Sequence, residues 1–189
     1  MSAAPSNCAW SSACKVRDAV AADLPAIQRI YAHYVRQGTA TFEESAPDAP
    51  ELTRRWREIV DAGFPWLVAE EAGAVVGYAY ANHYRLRSAY RFTCEDSVYL
   101  DPAACHRGLG TALLQAVIAR CETRGWRQMI AVIGDSGNQG SVRLHARLGF
   151  TPTGTLCDVG FKLGRWLDVV LMQRRLGEGG LTAPRERNP

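Results

Sequence analysis

Seven consecutive residues, Cys105-His106-Arg107-Gly108-Leu109-Gly110-Thr111, are the part of this sequence best suited to holding an anion. Two glycines let the backbone come close to a ligand. A predicted helix opens at Gly108 with its N–H groups and positive dipole end directed into the loop, and Arg107 adds a charge-assisted donor. Pyrophosphate is the chemistry such a loop serves. The spacing separates it from two other phosphate loops, because the third glycine of a dinucleotide fingerprint would fall at Leu113 and the lysine of a P-loop is missing. Downstream, Asn138, Ser141 and His145 are spaced three and four residues apart at the start of another predicted helix, so they share one face. For Asn138 and Ser141, capping the helix and contacting a ligand both remain open. Upstream, Arg85, Arg87 and Arg91 with Tyr84 and Tyr90 concentrate cations and rings just before Glu95. Such a patch suits a carboxylate or phosphinate, with an exposed arginine-rich hairpin as the alternative.

The elements that must position these groups follow from periodicity. Lys15-Val-Arg-Asp-Ala reads as a short extended segment, after which Asp23 offers an N-cap and Pro25 a first turn for a helix carrying Leu24, Ile27, Ile30, Tyr31 and Tyr34 up to Gly38. Thr39 to Phe42 is a short β-branched and aromatic segment. Glu51 to Ala62 repeats the helical signal with Leu52, Trp56, Ile59 and Val60. Trp66 to Glu70 and Val75 to His83 around Glu71-Ala-Gly-Ala read as a hairpin, and Arg91 to Leu100 as a further strand. A helix from Gly108 to Arg124, a strand from Arg127 to Ile133, a helix from Asn138 to Leu148 and two strands between Phe150 and Leu176 complete the order. The expectation is α/β: one mixed sheet with helices on both faces. Residues 1–14 are expected to be a flexible N-terminal tail, 15–176 the folded domain and 177–189 a flexible C-terminal tail.

Composition excludes several other classes. The 22 Lys and Arg against 19 Asp and Glu leave +3, dispersed and without a basic block, so no nucleic-acid partner is expected. The most apolar region, Leu67 to Tyr80, is broken by Glu70 and Glu71 and is too short to span a bilayer. The uncharged start, Met1 to Cys14, is rich in Ser and Ala rather than apolar, and reads as a loose tail and not a signal peptide. Six cysteines show neither a CxxC pair nor metal-ligand spacing with the four histidines. No metal is expected, each cysteine reads as a small buried or half-buried hydrophobe, and a reducing cytoplasm is the default.

Ser97-Val98-Tyr99-Leu100 running into His106-Arg107-Gly108-Leu109-Gly110-Thr111-Ala112-Leu113 resembles the acetyl-CoA motif of the GNAT superfamily of N-acetyltransferases. Asn138-Gln-Gly-Ser141-Val-Arg-Leu-His145-Ala-Arg-Leu-Gly149-Phe150 is similar to a second signature of that superfamily. Tyr90-Arg-Phe-Thr-Cys-Glu95-Asp-Ser-Val-Tyr99 and Gly160-Phe-Lys-Leu-Gly-Arg-Trp166-Leu-Asp168-Val resemble stretches typical of its phosphinothricin and methionine sulfoximine acetyltransferase branch. The likeness runs from Val16 to Leu176.

The resemblance implies a mostly antiparallel sheet with a splayed strand at the acetyl-CoA site, and transfer of an acetyl group to the amine of a small amino acid such as phosphinothricin, methionine sulfoximine or methionine sulfone. Glu95 stands where the family places its catalytic carboxylate and is the expected base, directly or through water. His145 matches the position expected near the sulfur and is the expected acid. Val98, Tyr99 and Leu100 map to the splayed strand that meets the pantetheine arm, and Asn138 and Ser141, at the start of the later helix, face the same arm. Residues 105 to 111 map to the pyrophosphate loop. Cys105 replaces the usual Gln or Arg, which shifts those contacts to the loop backbone and Arg107. Arg85, Arg87, Tyr90, Phe42 and Glu43 are implied to line the amino-acid pocket, in a homodimer. Two other readings stay open: acetylation of a protein N-terminus or lysine, and a noncatalytic acyl-CoA-binding module.

Overall fold

In the computed structural model, which describes residues 14–185, the chain enters as strand β1 (Cys14–Asp18) and passes through a 3-10 turn at Ala21–Asp23 into helices α1 (Leu24–Gln37) and α2 (Ala49–Asp61). The hairpin β2 (Trp66–Glu71) and β3 (Ala74–His83) follows, then β4 (Thr93–Leu100), α3 (Leu109–Thr123), β5 (Gln128–Gly134), α4 (Gln139–Arg147), β6 (Thr151–Lys162) and β7 (Arg165–Arg175). The seven strands form one sheet in the order β1-β2-β3-β4-β5-β7-β6. Every neighbouring pair is antiparallel except β4 with β5. The mixed, mostly antiparallel sheet expected from the sequence is therefore the fold.

Side-chain alternation along β4 shows which helices lie on which face. Tyr99 packs edge-on against Tyr31 and tilted against Tyr34, both of α1. Its neighbour Leu100 points the other way, toward Gly77 and Leu113 of α3. Consecutive strand residues face opposite sides, so α1 and α3 cover opposite faces. In α3, Leu113, Leu114, Val117 and Cys121 have no exposed surface. Burying each large aliphatic side chain contributes about 1.5–3 kcal/mol, well above local helix propensities, so packing on the sheet fixes the direction of the α3 N-terminus.

Several local expectations change. Asp23 directs its carboxylate to Arg17 and to the Val20 amide rather than capping α1, because the bidentate guanidinium competes successfully for it. The N-cap of α2 is Asp48, which accepts from Glu51 N at 2.9 Å, so that helix starts two residues before its expected beginning. Thr39 to Phe42 forms no strand. Cys157 lies exposed on β6, unlike the buried hydrophobe expected of it. At the N-terminus, Cys14 is already part of β1, and the rest of the expected tail, residues 1–13, lies outside the described residues. After Leu176, Arg127 donates to Gly179 O and Thr182 O. Residues 186–189 lie outside the described residues.

Candidate active site

The chemistry-bearing residues converge where the sheet splits. β4 and β5 pair only from Thr93↔Gln128 to Asp96↔Ala131. Beyond Asp96, β4 stays with β3 as far as Leu100 while β5 stays with β7 as far as Gly134. The two strands diverge into a cleft of about 470 Å³, lined by Ser97, Val98, Tyr99 and Leu100 on one side and Val132, Ile133 and Gly134 on the other. Backbone groups on the diverging edges have no strand partner across the cleft and are available to a ligand. From α1, the Tyr34 hydroxyl donates to Leu100 O at 2.7 Å and fixes the end of β4 at the mouth of the split.

At that mouth the loop 105–111 delivers the α3 N-terminus. His106 (φ 61°) and Gly108 (φ 82°) both adopt left-handed conformations, which turns the loop back on itself ahead of the first helical turn. The first-turn amides of α3 have no intrahelical acceptor, and Cys105, His106, Gly108, Gly110 and Thr111 line this end of the cleft. Gly110 is buried here, and a Cβ would be in ordinary contact, 3.4 Å, with a methyl of Leu144, so only a larger side chain would crowd the site. Arg107 does not line the cleft. Its guanidinium is ion-paired to Glu71 at the end of β2, with Nη1 2.9 Å from one carboxylate oxygen.

The floor of the cleft contains a buried pair. His145 Nε2 lies 2.9 Å from Asp96 Oδ2, and Nδ1 lies 2.8 Å from Ser141 O and 3.3 Å from Ser141 Oγ. Both ring nitrogens thus carry hydrogen-bond partners, an arrangement that suits the imidazolium. Burial by itself would depress the histidine, but the hydrogen bond and charge of Asp96 outweigh it and raise the pKa. Asp96 Oδ1 is buried with no hydrogen-bond partner among the described residues. Asn138 accepts from Ser141 N at 3.2 Å, so it caps α4 and also lines the cleft.

Because Glu95 and Asp96 are neighbours on a strand, they face opposite sides of the sheet. Asp96 meets α4. Glu95 looks toward the α1 side, where its charge acts on Tyr80 together with that of Glu43. Burial, and then the adjacent Asp96, push Glu95 up to about 7, with Arg85 pulling partly the other way. A carboxylate poised there can take a proton from an ammonium group near neutral pH. On this side Glu43 is ion-paired to Arg55 at 2.7 Å, and Trp66, Tyr78, Tyr80 and Tyr99 form a stacked aromatic wall. Arg85, Arg87 and Tyr90 lie on the exposed 84–92 loop, where Arg85 covers the Tyr84 ring and Tyr84 meets Tyr90 edge-on. Among these three, the charge of Arg85 reaches Glu95.

Residues 27–150 match the Acetyltransferase (GNAT) family model, a span that contains the split strands, the loop and α4. The chain belongs to the GNAT family of acetyltransferases. Phosphinothricin N-acetyltransferase of Alcaligenes faecalis is 58% identical over 172 residues, covering 91% of this chain and 87% of the relative. An L-methionine sulfoximine/L-methionine sulfone acetyltransferase of Pseudomonas aeruginosa is 42% identical over 162 residues, covering 85% and 94%. A crystal structure of a GNAT superfamily phosphinothricin acetyltransferase from Sinorhizobium meliloti in complex with acetyl-CoA superposes with a TM-score of 0.89 at 50% identity, covering 92% and 94%.

Apart from Arg85, Arg87 and Tyr90 on the exposed 84–92 loop, the expected residues of this acetyltransferase divide into three groups. Val98, Tyr99, Leu100, Cys105, His106, Gly108, Gly110, Thr111, Asn138, Ser141 and His145 come together in the cleft. Glu95 and Glu43 share the opposite face, and Phe42 lies against Gly134 and Gly160. Leu109 is a buried core residue behind the loop, and Arg107 is engaged elsewhere. Sequence reasoning missed Asp96, Tyr34 and Arg147, all of which line the cleft. Strand alternation opposite an α4 histidine was the signal for Asp96. Arg147 lies two residues beyond His145 in a motif already singled out, and only the placement of α4 shows that it reaches the cleft.

Proposed function

We propose that this chain transfers the acetyl group of acetyl-CoA to the amine of a small anionic amino acid of the phosphinothricin, methionine sulfoximine or methionine sulfone kind. The observation that carries the reading is the cleft at the β4/β5 split, with the N-terminus of α3 at its mouth and a carboxylate held near pKa 7 across the sheet from it. Bound acetyl-CoA supplies an activated acyl group. The amides of residues 106–111 would hold its pyrophosphate, supported by Arg147 and by Arg107 on release from Glu71. The diverging edge of β4, with Asn138 and Ser141, would hold the pantetheine arm.

Glu95 takes the amine proton, directly or through one water, and its elevated pKa matches that task. His145 is the proposed acid. Its Nδ1 proton reaches the cleft through Ser141 Oγ, 3.3 Å away, which can return a proton to the sulfur while Asp96 keeps the ring oriented. Arg85, with Arg87 and Tyr90, supplies cations and a ring for the substrate's anionic group, orienting its amine. The noncatalytic alternative loses support from a base near neutrality, and the protein-acetylating alternative is separated by assay.

Two copies are proposed to meet through the β6–β7 hairpin. β6 is an edge strand, and Leu156, Val159, Phe161, Leu163 and Trp166 are all about half exposed or more, with Trp166 at 61%. No described helix is long and apolar enough to cross a membrane. A cytoplasmic location fits the five free cysteines among the described residues. The net charge of +3 gives no support to a nucleic-acid partner. The functional reading is tested by following free thiol release from acetyl-CoA with phosphinothricin, methionine sulfone, an aminoglycoside and a peptide N-terminus. Turnover of the first two is expected, and activity confined to the peptide would overturn the substrate class.

A further inference from the structure

β6 ends in a lysine at odds with the strand that carries it. Residues 151–159 are exposed, yet Lys162 is 3% exposed. Burying an ammonium is costly unless its hydrogens are accepted. Here Nζ donates to Thr41 O at 2.7 Å and to Tyr34 O at 3.3 Å. The second acceptor is one of the last four carbonyls of α1, where the negative end of the helix dipole favours a cation. One side chain from the C-terminal hairpin is thus fixed to the end of α1 and to the irregular segment that follows it.

That segment, residues 39–43, forms no strand or helix of its own. Its other anchors are Thr39 Oγ1 to Asp135 Oδ2 at 2.7 Å, Tyr31 to Thr41 Oγ1 at 2.9 Å and the Glu43–Arg55 pair. The Phe42 ring rests against two glycines. A Cβ at Gly134 would approach it to 3.1 Å, and one at Gly160, two residues before Lys162, would overlap it. Glu43 acts on the Tyr80 hydroxyl that also feels Glu95, so the segment forms part of the wall on the base's side of the sheet.

We propose that Lys162 is a positioning residue for the amino-acid substrate: by clamping residues 39–43 to the end of β6, it fixes Phe42 and Glu43 as a wall of the amine pocket. The proposal rests on the functional reading above for its substrate and on the clamp geometry for everything else. The test compares the parent with Lys162→Met and Lys162→Gln by three measurements. These are the KM for methionine sulfone at saturating acetyl-CoA, acetyl-CoA affinity by calorimetry without the amino acid, and amide hydrogen exchange over residues 39–44.

Loss of two charge-assisted contacts in Lys162→Met should raise the amino-acid KM by about tenfold or more. It should leave acetyl-CoA affinity within about twofold and speed exchange in the segment. Lys162→Gln keeps an N–H donor and should fall between; if Lys162→Met does not fold, Lys162→Gln carries the same comparisons. An unchanged amino-acid KM, unchanged exchange, or an equal loss of acetyl-CoA affinity would overturn the proposal. A parent inert on every small amino acid would refute the functional reading instead. The clamp would then be judged by exchange alone, with faster exchange retaining it and unchanged exchange removing it.

Discussion

Replacing Glu95 by Gln should stabilise the protein at alkaline pH while disabling it. The carboxyl is raised from an ordinary 4.5 to about 7, mainly by burial and then by the charge of Asp96. At about 1.36 kcal/mol per tenfold change in proton affinity, ionising Glu95 in the folded chain costs about 3.4 kcal/mol. Because the side chain is only partly enclosed, screening reduces this to about 2 kcal/mol. The sign follows from linkage: an acid whose folded pKa is raised contributes stability that is present below 4.5 and lost as pH rises through about 7. The substituted amide never ionises, so the variant should melt about 4–8 °C above the parent at pH 8.5, and the advantage should vanish in acid. The parent's kcat/KM should climb with pH through about 7 and level off. In Glu95→Gln, kcat should fall by about 10²- to 10⁴-fold with acetyl-CoA affinity unchanged. Paired thermal melts and rate profiles from pH 5 to 9 decide the matter. A variant that melts no higher than the parent at pH 8.5, or turns over within about threefold of it, refutes the reasoning.

Asp96→Asn leaves His145 in a buried site without its counter-charge, and should cost about 3 kcal/mol, seen as a fall in Tm of about 6–12 °C. The raised pKa of His145 contributes stability that is present below its ordinary 6.5 and lost as pH rises through the folded value, so melts from pH 5.5 to 8.5 should lose that dependence in the variant. Glu71→Gln frees Arg107 for phosphate and should tighten acetyl-CoA by about two- to fivefold in calorimetry at low salt; unchanged affinity would mean that Arg107 stays outside the site. Phe161→Glu with Trp166→Glu places charge on the exposed hairpin and should convert a dimer to a monomer in sedimentation, whereas an unaltered mass would assign the contact elsewhere.

Within one element the sequence was decisive. Apolar spacing gave α1 through Leu24, Ile27, Ile30 and Tyr31, and gave α3 through Leu109, Leu113, Leu114, Val117 and Ile118, since a helix face is set by residues three and four apart. The loop from Cys105 to Thr111 and the Asn138–Ser141–His145 face were legible for the same reason: their geometry is local. What the tertiary structure alone decided are the partnerships between groups far apart in the chain. The end of β4–β5 pairing at Asp96, which opens the cleft, depends on how β5 is held by β7. His145 meets Asp96 across 49 residues, Arg107 meets Glu71 across 36 and Lys162 meets Thr41 across 121. Periodicity assigns such side chains to a face, but many donors and acceptors of the right sign exist in the chain. Which of them pair is fixed by the packing of whole elements; for the buried contacts of His145 and Lys162 the reason is that a buried charge is tolerated only where that packing brings its partner within hydrogen-bond reach.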